Sequence, residues 1–108
     1  MTMAMFDTEF DGSPVVQGVN EDTRWRCDLW AGAQPTAPTC TIQEVTGPDA
    51  YGVDLSGTLM SGSAFVEGDT IFTPFIRSLV AGKMYRVNVR FVSAGNTRER
   101  WFRVRARA

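Results

Sequence analysis

From Met84 to Ala106 the apolar positions fall on every second residue. Tyr85, Val87, Val89 and Phe91 alternate with Met84, Arg86, Asn88, Arg90 and Val92, and Phe102, Val104 and Ala106 alternate with Trp101, Arg103 and Arg105. A period of two marks a half-buried β-strand, so the stretch predicts two antiparallel arms of a long hairpin. Directly opposed residues share a face and a one-residue slip exchanges the faces, so the turn must hold an even number of residues. A two-residue turn at Gly95-Asn96, or a four-residue turn from Ala94 to Thr97, opposes Val89 with Phe102, Val87 with Val104 and Tyr85 with Ala106. Gly-Asn suits such a turn, because glycine supplies a positive φ and asparagine tolerates one. In that register Arg90 opposes Trp101, Asn88 opposes Arg103, Arg86 opposes Arg105 and Val92 opposes Glu99.

The preceding chain is a series of short runs cut by turn residues. Strands are predicted at Val15 to Val19, Arg24 to Trp30, Thr39 to Thr46, Tyr51 to Leu55, Ala64 to Glu67 and Thr70 to Ile76. The breaks are Asn20-Glu21-Asp22, Ala31 to Pro38, Gly47-Pro48-Asp49, Ser61-Gly62-Ser63, Gly68-Asp69 and Ala81-Gly82-Lys83. No window of eleven residues carries a helical period. Seven or eight short strands at this spacing predict an all-β fold, an immunoglobulin-like antiparallel β-sandwich with a long C-terminal hairpin. Residues 14–108 are expected to form that single domain, and residues 1–13 an N-terminal arm ending at Gly12-Ser13-Pro14. Phe6 and Phe10 on the arm suggest docking, on the parent sandwich or on a neighbouring subunit. A frayed terminus is the alternative.

Composition narrows the class. The 108 residues fit one core, and no apolar run approaches the ~20 residues of a membrane span. The acidic start lacks the basic region of a secretory signal, which implies synthesis and folding in a cytoplasm. Cys27 and Cys40 make no disulfide framework and read as buried thiols, with a bond between neighbouring strands as the lesser alternative. The net charge of −1 conceals a polarity: residues 1–54 hold nine acids and two arginines, giving −7, whereas residues 55–108 hold nine basic groups and three acids, giving +6. Unlike surfaces of this kind suit head-to-tail contact between copies.

Candidate chemistry is sparse. The chain has no histidine, and no phosphate-binding loop, nucleophile elbow or metal-ligand spacing occurs. No enzymatic activity, cofactor or metal is expected. The distinctive surface is the outer face of the hairpin, where Arg86, Arg90, Arg103 and Arg105 surround Trp101. Ten arginines stand against one lysine, and arginine is favoured for planar, stacked contacts at protein interfaces. A solvated sheet face is the plain alternative. Single-stranded nucleic acid also binds aromatic and basic faces, but the acidic first half of the chain argues against it.

The order Gly68 to Ile71 (GDTI), Gly82, Tyr85 with Val87, Asn96 to Arg100 and Phe102 with Val104 resembles that of small immunoglobulin-like virion proteins of tailed phages, described as fibre-to-tail adaptors or minor structural proteins. The likeness covers about forty residues. It implies a non-enzymatic structural protein of a virion, a β-sandwich adaptor joining tail or baseplate and fibre components, working as a homo-oligomer among other virion proteins; the composition itself points away from a membrane and from nucleic acid. Its expected anchors are Arg86, Arg90, Trp101, Arg103, Arg105, Phe6 and Phe10. Capsid decoration is one alternative. Another is a carbohydrate-binding module using the loops at Ala31 to Pro38 and Gly47 to Gly52, beside Trp30 and Tyr51.

Overall fold

The computed structural model describes residues 7–10 and 12–108. Eleven strands and one helical turn follow in order: β1 (Asp7–Glu9), β2 (Val15–Gly18), β3 (Arg26–Asp28), β4 (Thr36–Gly47), β5 (Ala50–Asp54), α1 (Ser56–Leu59), β6 (Met60–Ser61), β7 (Phe65–Glu67), β8 (Thr70–Phe72), β9 (Phe75–Ile76), β10 (Met84–Ser93) and β11 (Asn96–Arg107). The larger sheet runs β11, β10, β4, β5, with β1 and β2 both parallel to β11 along its outer side. A second sheet, β3-β8-β7, lies opposite, and β6 pairs with β9. In immunoglobulin terms these are the G, F, C, C′ and the B, E, D strands, so the expected sandwich is the observed fold.

Alternation explains the core. Tyr85, Val87, Val89 and Phe91 of β10 and Phe102, Val104 and Ala106 of β11 are buried, and they meet Ile42 of β4, Cys27 of β3 and Ile71 of β8 in one cluster. Each of the valine, isoleucine and phenylalanine side chains among them contributes about 1.5–3 kcal/mol on burial. Tyr85 also accepts a hydrogen bond at its hydroxyl from the Val80 backbone N–H, 3.0 Å away. That bond pins the corner leading into strand F, as the tyrosine corner does in immunoglobulin-like domains. Gln17 is a second buried polar clip at the same end: its Nε2 donates to the carbonyls of Glu21 and Ile76, and its Oε1 accepts from Trp25 Nε1 at 2.9 Å.

Two expectations are corrected. The hairpin turn is Ala94-Gly95, with φ of 50° and 77°, because Ser93 pairs with Asn96. Moving a two-residue turn by one position shifts the pairing by two, so every side chain keeps its face but changes its partner. Val87 opposes Phe102, Tyr85 opposes Val104, Arg86 opposes Arg103, Asn88 opposes Trp101 and Arg90 opposes Glu99. The run from Thr70 to Ile76 is two strands, split at Thr73-Pro74 and belonging to different sheets. Within the expected arm, residues 7–9 form a strand that pairs with β11 of the same chain.

The cysteines are both free thiols, and their strands β3 and β4 lie in different sheets rather than side by side. Burial pushes each thiol up to about 12.

Candidate functional site

The outer face of the β5-β4-β10-β11 sheet is built from the polar half of the alternating pattern. At its centre the Arg86 guanidinium lies 4.3 Å from the ring centroid of Trp101 on β11 and 4.9 Å from that of Tyr51 on β5. Its Nη1 donates to the Tyr51 hydroxyl at 3.1 Å and its Nε to Asn88 Oδ1 at 2.8 Å. Asn88 in turn donates to Gln43 Oε1 and Thr41 Oγ1 on β4. A polar ladder thus crosses strands β4 and β10 and fixes the orientation of the arginine between its two rings.

Two carboxylates condition the arginines. Glu9 of β1 holds Arg103 at 2.7 Å and accepts a hydrogen bond from Ser13 Oγ, while Ser13 Oγ accepts from the Arg103 backbone N–H at 2.8 Å. Burial pushes the Glu9 carboxyl up, but the hydrogen bonds from Ser13 and Arg103 and the charges of Arg103 and Arg86 outweigh it and hold the group below the usual range. The cross-strand repulsion of Arg86 and Arg103 is therefore relieved from within the chain, by its own acidic N-terminal segment. Glu99 stands 3.6 Å from Arg90, whose side chain is 65% exposed. These two line a shallow depression of about 230 Å³ together with Thr39, Thr41 and Asn88.

The expected anchors separate into groups. Arg86, Arg90, Trp101, Arg103 and Arg105 share the outer face, and Arg105 is exposed opposite Met84 at its far end. Arg90, which the expected register opposed to Trp101, opposes Glu99 instead, and the guanidinium over the Trp101 ring is that of Arg86. Phe10 turns toward the parent core, edge-on to Phe102 with ring centroids 6.3 Å apart. Phe6 lies outside the described residues. Sequence reasoning missed Tyr51 as the second ring of the stack and Glu9 as the counter-charge. Local pattern specifies neither: Tyr51 reaches Arg86 from across β4, and the Glu9 contact depends on the arm's docking.

Trp30, a candidate sugar platform, packs against Phe91 at 6.1 Å, and the guanidiniums of Arg98 and Arg100 lie 5.4 and 5.2 Å from its ring centroid. Tyr51 belongs to the Arg86 stack. Among the described residues no group of three or more His, Cys, Asp or Glu side chains is placed to hold a metal ion. Comparison with known proteins finds no matching family model, no matching curated protein and no matching solved structure.

Proposed function

We propose that the chain is a non-enzymatic structural protein of a tailed-phage virion, an adaptor that joins tail or baseplate and fibre components through protein contacts on the outer face of its larger sheet. The observation that carries this reading is the Tyr51-Arg86-Trp101 stack, held in one geometry by hydrogen bonds to neighbouring strands. An arginine ordered before contact loses little side-chain entropy on binding, and aromatic and arginine side chains dominate the energetics of protein interfaces. Exposed Arg90 and Arg105 at the margins favour a partner surface bearing carboxylates. The virion assignment rests on the resemblance of the C-terminal forty residues. Decoration of a capsid would use the same face.

The test is incorporation into particles. Replacing Trp101 and Arg90 together by alanine should leave a folded monomer, judged by circular dichroism and thermal melting, while reducing its copy number in purified particles at least tenfold. Undiminished incorporation would remove this face as the interface.

A further inference from the structure

The outer edge of β11 carries a segment that is docked separately from the rest of the chain. Between the pair Glu9 with Trp101 and the pair Val15 with Val104, the edge chain spends five residues where β11 spends two. The surplus is thrown out in a turn in which the Ser13 N–H donates to the Phe10 carbonyl at 3.4 Å and Gly12 sits at φ 86°. β1 is therefore not a continuation of β2. Among the described contacts its hold includes three paired residues, the Phe10 N–H donating to the Trp101 carbonyl at 2.8 Å, the Glu9 to Arg103 ion pair with Ser13 Oγ bridging Glu9 to the Arg103 N–H, and the Phe10 ring against Phe102 with Arg100 5.7 Å from its centroid. Behind the ring lies a hollow of about 40 Å³ bordered by Val15, Trp25, Cys27 and Phe102.

We propose that this edge is a receptor for the same segment of a second copy, so that residues 7–10 of one chain seat on β11 of another and copies assemble by exchanging arms. The site demands an occupant of this chemistry. With it removed, Arg103 faces Arg86 across the strands without Glu9, the Phe102 side of the hollow meets water, and β11 presents unpaired backbone. An extended strand answers all three when it carries an outward acid followed by an inward aromatic, as Glu9-Phe10 does. The contacts are the same within a chain and between chains, so their energies cancel in the exchange, and linker strain and concentration decide the outcome. The surplus residues let the arm leave while β2 keeps its own register with residues 104–107. The four residues 11–14 that join the arm to β2 would span up to about 13 Å if extended. This inference does not depend on which component meets the Arg86 face.

A mixing experiment on the full chain tests it. In a Glu9→Arg chain the arm and the groove are both basic, and in an Arg103→Glu chain both are acidic, so neither pairs with itself or with an identical copy. Each arm finds its opposite only in the other chain. Size-exclusion chromatography with light scattering should give monomer mass for each variant alone and at least twice that mass for the equimolar mixture, and adding Phe10→Ala to both should return the mixture to monomers. A mixture that stays monomeric, or one whose assembly ignores Phe10→Ala, overturns the proposal. Should either charge variant fail to fold, a Thr8→Cys chain mixed with an Arg100→Cys chain replaces them, since those positions are register partners. A disulfide-linked heterodimer supports exchange, and its absence under oxidation overturns it.

Discussion

Two arginines lie between pairs of aromatic rings, Arg86 on the larger sheet and Arg24 just before β3 between rings of β7 and β9, with nearly the same spacing and different consequences. Arg24 sits 4.3 Å from the Phe75 centroid and 4.9 Å from that of Phe65, and Phe65 stacks on Phe72. Arg86 sits at the same two distances from Trp101 and Tyr51. The difference lies in what their N–H groups reach. Nη1 of Arg24 donates to the backbone carbonyls of Ser63 and Thr73, at 2.8 and 2.9 Å, tying together segments far apart in sequence. Arg86 donates to the side chains of Tyr51 and Asn88. Stacking alone therefore does not identify an interface. An arginine bound to backbone carbonyls is part of the fold, whereas one bound to side chains on an exposed sheet face is oriented by the fold and offered to whatever lands there.

The contrast predicts unequal losses. Arg24→Ala strips a charged donor from two carbonyls and opens the phenylalanine stack, which should cost about 2–3 kcal/mol and lower the thermal midpoint by roughly 10 °C. Arg86→Ala should cost at most about 1 kcal/mol of stability, the range for a stacked, exposed cation. Equal losses at the two positions, measured by chemical denaturation, would erase the distinction.

The turns of the two sheets sharpen it further. In the β7-β8 hairpin Gly68 takes the positive φ of 61°, whereas at the β10-β11 turn Ala94 must hold 50° beside Gly95. Ala94→Gly should therefore stabilise the larger sheet by about 0.5–1 kcal/mol, read as a raised midpoint with an unchanged denaturant slope. The smallest effect is expected from acid. The Asp69 carboxylate accepts the backbone N–H groups of Gln34 and Gly32, which hold it below the usual range, and Glu9 is lowered as described above. A carboxyl whose folded pKa is depressed contributes its stability above the unfolded value, near 4, and loses it as the pH falls toward the folded value. The midpoint should thus hold steady from pH 7 to about 5 and decline below about 4. Glu9→Gln should flatten part of that decline and Asp69→Asn another part.

The faces of the hairpin were legible because parity is a local property: any even turn buries Tyr85, Val87, Val89, Phe91, Phe102 and Val104. The partners across it were not, since Gly95-Asn96 looked the better turn and only a positive φ at Ala94 accommodates the observed one. Strand β4 begins at Thr36, inside a stretch read as a break on account of its prolines. Pro38 is tolerated there because β5 pairs only with the far half of β4, leaving no neighbour to miss an N–H. Docking of the arm was equally hidden. Three residues of DTE carry no alternation of their own, and what fixes them is the edge of a strand some ninety positions away. Of the candidate site, the arginines and Trp101 could be gathered on one face from the pattern alone, but the stack needed Tyr51, and a cross-strand ring two strands over is invisible to a period of two.

The irregularity at Ala37-Pro38 reaches beyond local geometry. Two residues there oppose Phe91 alone, with Ala37 at φ 50°, so the ladder with β10 slips between Arg90 and Val92. The first half of β4 would otherwise be a long, straight ribbon with bare amides, the kind of template on which proteins at high local concentration grow into fibres. The kink and the missing N–H blunt it. With β1 and β2 lying along the far margin of the same sheet, this part of the molecule can be held at high local concentration without nucleating uncontrolled sheet growth.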